Sequence, residues 1–437
     1  MKPYHRVKLK ITPDLIGLTR CYPKNFPVLL ASNSVNDKTG RYSMLLCQSK
    51  KPIKAFNAKQ LKKLIKKIDN KIITGKKSND LPFHSGWFLY LSYESTKVWE
   101  KSLNNLKHDK NQPLAIAIRC KSAIIIDHIK NESWLVSNSK KRINKLKKRI
   151  KNTQCKHTQF SNHLLLETDD IDNYIKNVNK AKKYIKQGDV YQVNLARFWQ
   201  VNSTTKIDAL ALYESLSQHN PAPFAAYLNT QGFALISSSP ERLVKVENNR
   251  IESRPIAGTR PRDNNPKIDN ALIEELINHP KEQAEHIMLI DLERNDIGRV
   301  SKIGSVKVDE FMVVESYRRV HHIVSNIIGT LKKDISFYDV IKAVFPGGTI
   351  TGCPKIRCMQ IIDQLENKPR GAYTGSMGYI TDDGQMDMNI LIRTFSLVKN
   401  QLTFQAGAGI VYDSIAEKEA QESMHKAHAL ITSLEQI

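Results

Sequence analysis

Four glutamates in this sequence are spaced to do chemistry. In Lys281-Glu-Gln-Ala-Glu-His-Ile-Met-Leu-Ile-Asp-Leu292, Glu282 and Glu285 stand three positions apart, and in Glu417-Lys-Glu-Ala-Gln-Glu-Ser-Met-His-Lys426, Glu419 and Glu422 repeat that spacing. If both runs are helical, each pair shares one face. Paired carboxylates on two helices, in a chain without a Cys/His cluster, suit a hard cation that takes oxygen ligands and keeps some waters; that cation is Mg2+. Most helical glutamates are simply solvated. These two pairs differ in lying beside glycine turns and strand ends: Arg254-Pro-Ile-Ala-Gly-Thr259, Phe345-Pro-Gly-Gly-Thr-Ile-Thr-Gly352, Gly371-Ala-Tyr-Thr-Gly-Ser-Met-Gly378 and Gly407-Ala-Gly409. Such glycines set positive-φ turns or let backbone N–H groups approach a ligand. None forms a P-loop or a Gly-x-Gly-x-x-Gly after a strand, so ATP and dinucleotide readings lose support.

The elements that must position these groups come from a chain of 437 residues, 41% hydrophobic and 25% charged, which is ordinary globular composition. No stretch approaches eighteen consecutive apolar residues, and the start MKPYHRVKLKITPDL lacks the apolar middle of a secretory signal, so a membrane span or a secreted protein is not expected. Six scattered cysteines without a Cys-x-x-Cys pair point to a reducing cytoplasm and no zinc site. The net charge of +24 raises a nucleic-acid reading. However, in Gln60–Ile72 the residues Leu61, Leu64, Ile65, Ile68 and Ile72 recur at helical spacing with lysines opposite, and Ile143, Leu146 and Ile150 do the same in Lys140–Asn152. These are expected to be solvated faces, and no aromatic residues interleave a basic stripe as single-strand binding requires.

Strand-length apolar runs are expected at Phe26–Leu30, Gly86–Ser92, Leu114–Ile118, Ala123–Ile126, Val190–Phe198, Phe224–Tyr227, Phe233–Ser237, Leu243–Val246 and Ile390–Phe395. Helices are expected at Asp169–Gln187 and through His286–Leu292. Periodicity decays between about Lys151 and Thr168, where a domain seam is placed, dividing the chain into residues 1–160 and 168–437.

Several blocks in order then resemble the chorismate-utilising enzymes: Arg254-Pro-Ile-Ala-Gly-Thr-Arg-Pro-Arg262, Ala284-Glu-His-Ile-Met-Leu-Ile-Asp-Leu-Glu-Arg-Asn-Asp-Ile-Gly-Arg299, Phe345 through Lys355, and Gly407-Ala-Gly-Ile-Val-Tyr-Asp-Ser414. The resemblance implies an α+β fold, a two-lobed β-sandwich of antiparallel sheets with helices packed outside. Of the two amidotransferase-linked branches, Gly188-Asp-Val-Tyr-Gln-Val-Asn-Leu-Ala196, Val320-His-His-Ile-Val-Ser325 and Asp387-Met-Asn-Ile-Leu-Ile-Arg-Thr394 look more like aminodeoxychorismate synthase component I than anthranilate synthase component I. Ala257 stands where many of the former carry a lysine nucleophile. Either amination proceeds without that covalent step, or the product is ortho-aminated.

Carried over by the same resemblance, Glu282, Glu285, Glu419 and Glu422 surround Mg2+, and His322 is the acid or orienting group at the leaving hydroxyl. Tyr379 and Arg393 grip the enolpyruvyl carboxylate with the amides of Gly407, Ala408 and Gly409, while Thr259, Thr349 and Lys355 lie near the ring. Water-adding relatives carry Lys at the position of Gln192; an amide cannot deprotonate water, so ammonia is the expected nucleophile. With no Cys-His glutaminase motif in the chain, that ammonia is expected from a separate glutamine amidotransferase.

Overall fold

The lysine-rich runs bury one face each. In helix Ala58–Asp69, begun by an Asn57 side chain that accepts from the Gln60 amide, Leu61, Leu64, Ile65 and Ile68 are buried. Lys59, Lys62, Lys63, Lys66 and Lys67 are exposed. Helix Lys140–Lys151 likewise buries Ile143 and Leu146. Each buried aliphatic side chain contributes about 1.5–3 kcal/mol, which holds helices whose outer faces carry almost only like charge. The computed structural model of the chain describes residues 4–35, 38–70, 72, 80–154, 164–317 and 320–435. No described helix is long and apolar enough to cross a membrane.

Strands connect into one antiparallel network. A core of Met44, Leu46, Phe88, Tyr90, Ile118, Leu228 and Leu235 is drawn from strands of both halves of the chain. Two outer cores lie against helices. One joins Trp199, Phe395 and Phe404 to helices Leu15–Cys21, Ala209–His219 and Ala416–Leu434, and the other joins Trp87, Leu89 and Val244 to helices Pro280–Val300 and Phe337–Val344. This is the α+β sandwich with external helices.

Strands from either side of the expected seam pair with one another: Val28–Ala31 with Phe224–Thr230, and Gly86–Leu91 with Ser376–Thr381. The seam falls partly on residues 155–163, outside the described residues, and Leu164–Thr168 is a strand against Gln192–Ser203. The two strands expected at 114–118 and 123–126 are one strand, Ala115–Asp127, whose polar middle stays in the sheet because Gly86–Leu91 pairs with it up to Cys120 and Tyr42–Gln48 pairs with it from Cys120 on. Strand Met386–Asn389 ends before Arg393, which sits in a bend at φ 52, and the next strand begins at Thr394. Cys21 is disulfide-bonded, contrary to the expectation of reduced thiols, whereas Cys47, Cys120, Cys353 and Cys358 are free.

Candidate active site

Three elements bring the acidic pairs to the start of the longest strand ladder, in which Gln401–Ile410 runs against Gln192–Ser203. Helix Pro280–Val300, with proline in its first turn, carries Glu282 and Glu285; its buried His286 bonds the Ser325 hydroxyl at 2.7 Å and fixes the helix rotation. Helix Ala416–Leu434 carries Glu419 and Glu422. At the first residue of strand Gln192–Ser203, Gln192 donates its Nε2 to Glu285 Oε1 at 2.7 Å. Gly409 makes that contact possible: a Cβ there would stand 2.3 Å from Gln192 Nε2 and 3.4 Å from Glu285 Oε1. Burial raises the Glu285 carboxyl, and the charges of Glu282 and Glu422 add to it; burial also raises Glu419.

Among the described residues no group of three or more His, Cys, Asp or Glu is gathered closely enough to hold a metal ion. The donor chemistry nonetheless fits a hard divalent cation: the carboxylates of two helices feel one another, and the burial cost on Glu285 and Glu419 is one that a cation would offset.

At the other end of the site lies a cationic grip. Arg393 has no hydrogen-bond or ion-pair partner for its guanidinium among the described residues, and burial pushes its pKa down. Its charge is felt by Tyr373 and by His322. Tyr373 is held beside it because Thr374 N donates to Leu391 O and Leu391 N to Gly375 O, both at 2.8 Å, locking the glycine turn to the bend. The Arg370 guanidinium lies over the Tyr373 ring at 5.4 Å. Tyr379 lies elsewhere, opposite Phe88 in the sandwich core and edge-on to Phe83 at 5.8 Å. Tyr373 was not singled out from sequence; it lies inside the glycine turn Arg370-Gly-Ala-Tyr-Thr-Gly375.

The three expected backbone donors divide. In the partner strand, Asn194 donates its N–H to Thr351 O, its carbonyl accepts from Arg370, and Ala196 N donates to Glu366. Asn194 and Ala196 therefore point away from their opposites, Gly409 and Gly407, while Ala408 faces Leu195 in a bonded pair. The amides of Gly407 and Gly409 face the open edge; that of Ala408 is spent in the ladder.

Between the two ends, strand Ile256–Pro261 bulges at Gly258, where φ is 61 and a Cβ would meet Glu282 Oε2 at 3.0 Å. The bulge aims Thr259, whose hydroxyl bonds His322 Nδ1 at 2.9 Å. Burial lowers the His322 pKa to about 4, so the ring is neutral at pH 7. Ala257 is buried on the same strand. Thr349 donates to Glu241 Oε1 at 2.8 Å. Burial raises the Glu241 carboxyl to about 8, with Glu293 adding to the rise, so it holds a proton at neutral pH. Glu241 was not singled out from sequence. Lys355 is ion-paired with Asp296 of helix Pro280–Val300.

A buried guanidinium beside a tyrosine and a histidine, and two helices whose carboxylates feel one another, are thus carried on one antiparallel framework. The family model described as chorismate binding enzyme matches residues 31–432, and the chain belongs to that family. An anthranilate synthase component I-like protein of Synechocystis sp. is 41% identical over 357 residues, 81% of this chain and 74% of that one. Aminodeoxychorismate synthase component 1 of Bacillus subtilis is 48% identical over 248 residues, 57% of this chain and 52% of its own, so the match spans about half of that relative. The crystal structure of anthranilate synthase component I from Streptococcus pneumoniae has a TM-score of 0.79 at 29% identity, covering 91% of this chain and 93% of that one. The relatives thus divide between two aminating activities.

Proposed function

We propose that the chain is an aminodeoxychorismate synthase component I, which converts chorismate and ammonia to 4-amino-4-deoxychorismate for para-aminobenzoate and folate synthesis in the cytoplasm. In this reading residues 168–437 form the chorismate-binding region and residues 1–160 support it. The observation that carries the reading is the buried Arg393 guanidinium beside Tyr373, without a partner among the described residues. A dicarboxylate needs one grip at each end, and a guanidinium fork matches a carboxylate.

Arg393, Tyr373, Gly407 and Gly409 would hold the enolpyruvyl carboxylate. Glu282, Glu285, Glu419 and Glu422 would hold Mg2+, which when bound neutralises the ring carboxylate and draws electron density from the ring. Gln192 has no basic atom, and its amide is engaged by Glu285, so the nucleophile must arrive already basic, as ammonia does. Glu241 supplies the proton for the departing ring hydroxyl, with Thr349 orienting its carboxyl, and neutral His322 holds Thr259 toward the ring. A glutamine amidotransferase subunit provides the ammonia; the relatives' names as component 1 support that partnership.

A second reading, anthranilate synthase component I, is favoured by Ala257, which offers no amine to attack ring carbon 2. Incubation with chorismate, ammonium and magnesium, followed by chromatography and mass spectrometry, separates the two. 4-Amino-4-deoxychorismate that yields para-aminobenzoate only on addition of a lyase supports the proposal. Anthranilate formed without a lyase establishes the second reading, and isochorismate would contradict both.

A further inference from the structure

Two positive side chains stand on the acidic end of the site, and the chemistry above does not use them. Arg260 donates Nη1 to Glu282 Oε1 at 3.3 Å and to Thr259 O at 3.0 Å, and Nε to Glu275 Oε1 at 3.1 Å. Lys426, one turn beyond Glu422, pairs with Glu422 Oε1 at 2.7 Å and donates to Gly407 O at 3.1 Å. Its charge is also felt at Glu285, Glu419 and Glu241. The pair is partly exposed, but unlike a simple i,i+4 pair on a helix surface its lysine also bonds a strand carbonyl. The inner carboxylates differ: Glu285 accepts from the Gln192 amide, and Glu419 from the Ser414 hydroxyl while feeling Lys281. Neither has an ion pair among the described residues. The outer carboxylates therefore carry cations of their own chain, and the inner ones carry neutral donors.

We propose that Arg260 and Lys426 are positioning residues that act as resident counter-cations on Glu282 and Glu422, competing with the divalent cation for those carboxylates. This rests on the magnesium reading above. A cation entering the acidic set must either displace the two side chains or bind against their charge. A bound carboxylate offers them another partner, so anion and metal binding reinforce one another, and the reinforcement is reciprocal.

The test is isothermal titration of magnesium chloride into the full-length, metal-free protein without substrate. Removing one positive charge a few ångströms from the site, partly screened by solvent, is worth about a factor of ten. Lys426→Gln and Arg260→Gln should each bind Mg2+ about tenfold more tightly than the unaltered protein, and Lys426→Arg, which keeps the charge, should match it. Chorismate should tighten Mg2+ binding in the unaltered protein and do so less in Lys426→Gln. Arg260 also ties helix Pro266–Asn278 to Pro280–Val300 through Glu275 and Glu282, so if Arg260→Gln fails to fold, Lys426→Gln decides alone. Unchanged or weaker Mg2+ binding by Lys426→Gln, with the unaltered protein binding normally, overturns this inference only. Absence of Mg2+ binding by every form, even with chorismate present, removes the metal reading and this inference with it.

Discussion

Gly409→Ala tests whether the Gln192–Glu285 contact governs turnover. Gly409 is in ordinary extended strand, not a left-handed conformation, so its constraint is space alone. The new Cβ would lie 2.3 Å from Gln192 Nε2, which must retreat by roughly 1 Å to reach ordinary contact distance. That displacement breaks its 2.7 Å bond to Glu285. A hydrogen bond to a charged group is worth about 1.5–3 kcal/mol, so kcat/KM with saturating ammonium should fall about 10- to 100-fold. The melting temperature should barely move, because the atom displaced is the end of a flexible side chain and Gly→Ala stiffens the unfolded chain. Gly407→Ala is the control with the opposite signature: its Cβ would meet Leu195 O at 2.3 Å, a backbone atom, so the ladder must open and stability fall. Adding Gln192→Ala removes the obstacle, so the two changes at 409 and 192 should be strongly non-additive. Full activity of Gly409→Ala, or an equal further loss on the Gln192→Ala background, would refute the reasoning.

Arg393→Gln should weaken chorismate binding about 100-fold by equilibrium titration, since it removes a bidentate charged grip. Its melting temperature should hold or rise, because the lost guanidinium has no partner among the described residues; a marked drop would mean that Arg393 is structural. Stability should decline as pH rises from about 5 to 8: Glu241 and Glu293 keep their protons to about 8 and about 7 in the fold but release them near 4.5 when unfolded, so the folded state binds more protons across that window. Thermal melts should show that slope, and Glu241→Gln should flatten it. Glutamine should support turnover only when an amidotransferase subunit is added, while high ammonium suffices alone; glutamine-dependent turnover by the isolated chain would contradict the partnership.

What was legible in the sequence was what local periodicity encodes. The lysine-faced helices and strands such as Gly86–Leu91 follow from side-chain spacing within a dozen residues. The acidic pairs were legible because i,i+3 spacing on a helix survives any packing. Interleaved pairing, such as Val28–Ala31 on Phe224–Thr230, leaves no mark in either segment alone. Glu241 has the same origin: its proton is held by burial and by the charge of Glu293, more than fifty residues away in the chain, against the opposing hydrogen bond from Thr349. The apolar run Ile390–Phe395 looked like strand because it is hydrophobic, but its residues are buried around a corner.

That corner explains why the anion grip is where it is. Strand Met386–Asn389 pairs with Arg242–Glu247 and Ser376–Thr381, whereas Thr394–Val398 pairs with Phe233–Ser239 and Gln401–Ile410, so the chain changes neighbours between them. A non-glycine residue in the left-handed region costs about 1–3 kcal/mol and persists only where its surroundings impose it. Here Ser238 N holds the Arg393 carbonyl at 3.1 Å, and the Thr374–Leu391–Gly375 bonds pin the preceding residues. Relaxing the bend would release those bonds. The backbone that carries the guanidinium is therefore fixed, and the guanidinium desolvated, before any ligand arrives. An anion bound there, as proposed, would meet a cation whose backbone was ordered on folding, and less of its binding energy would be lost to immobilising the site.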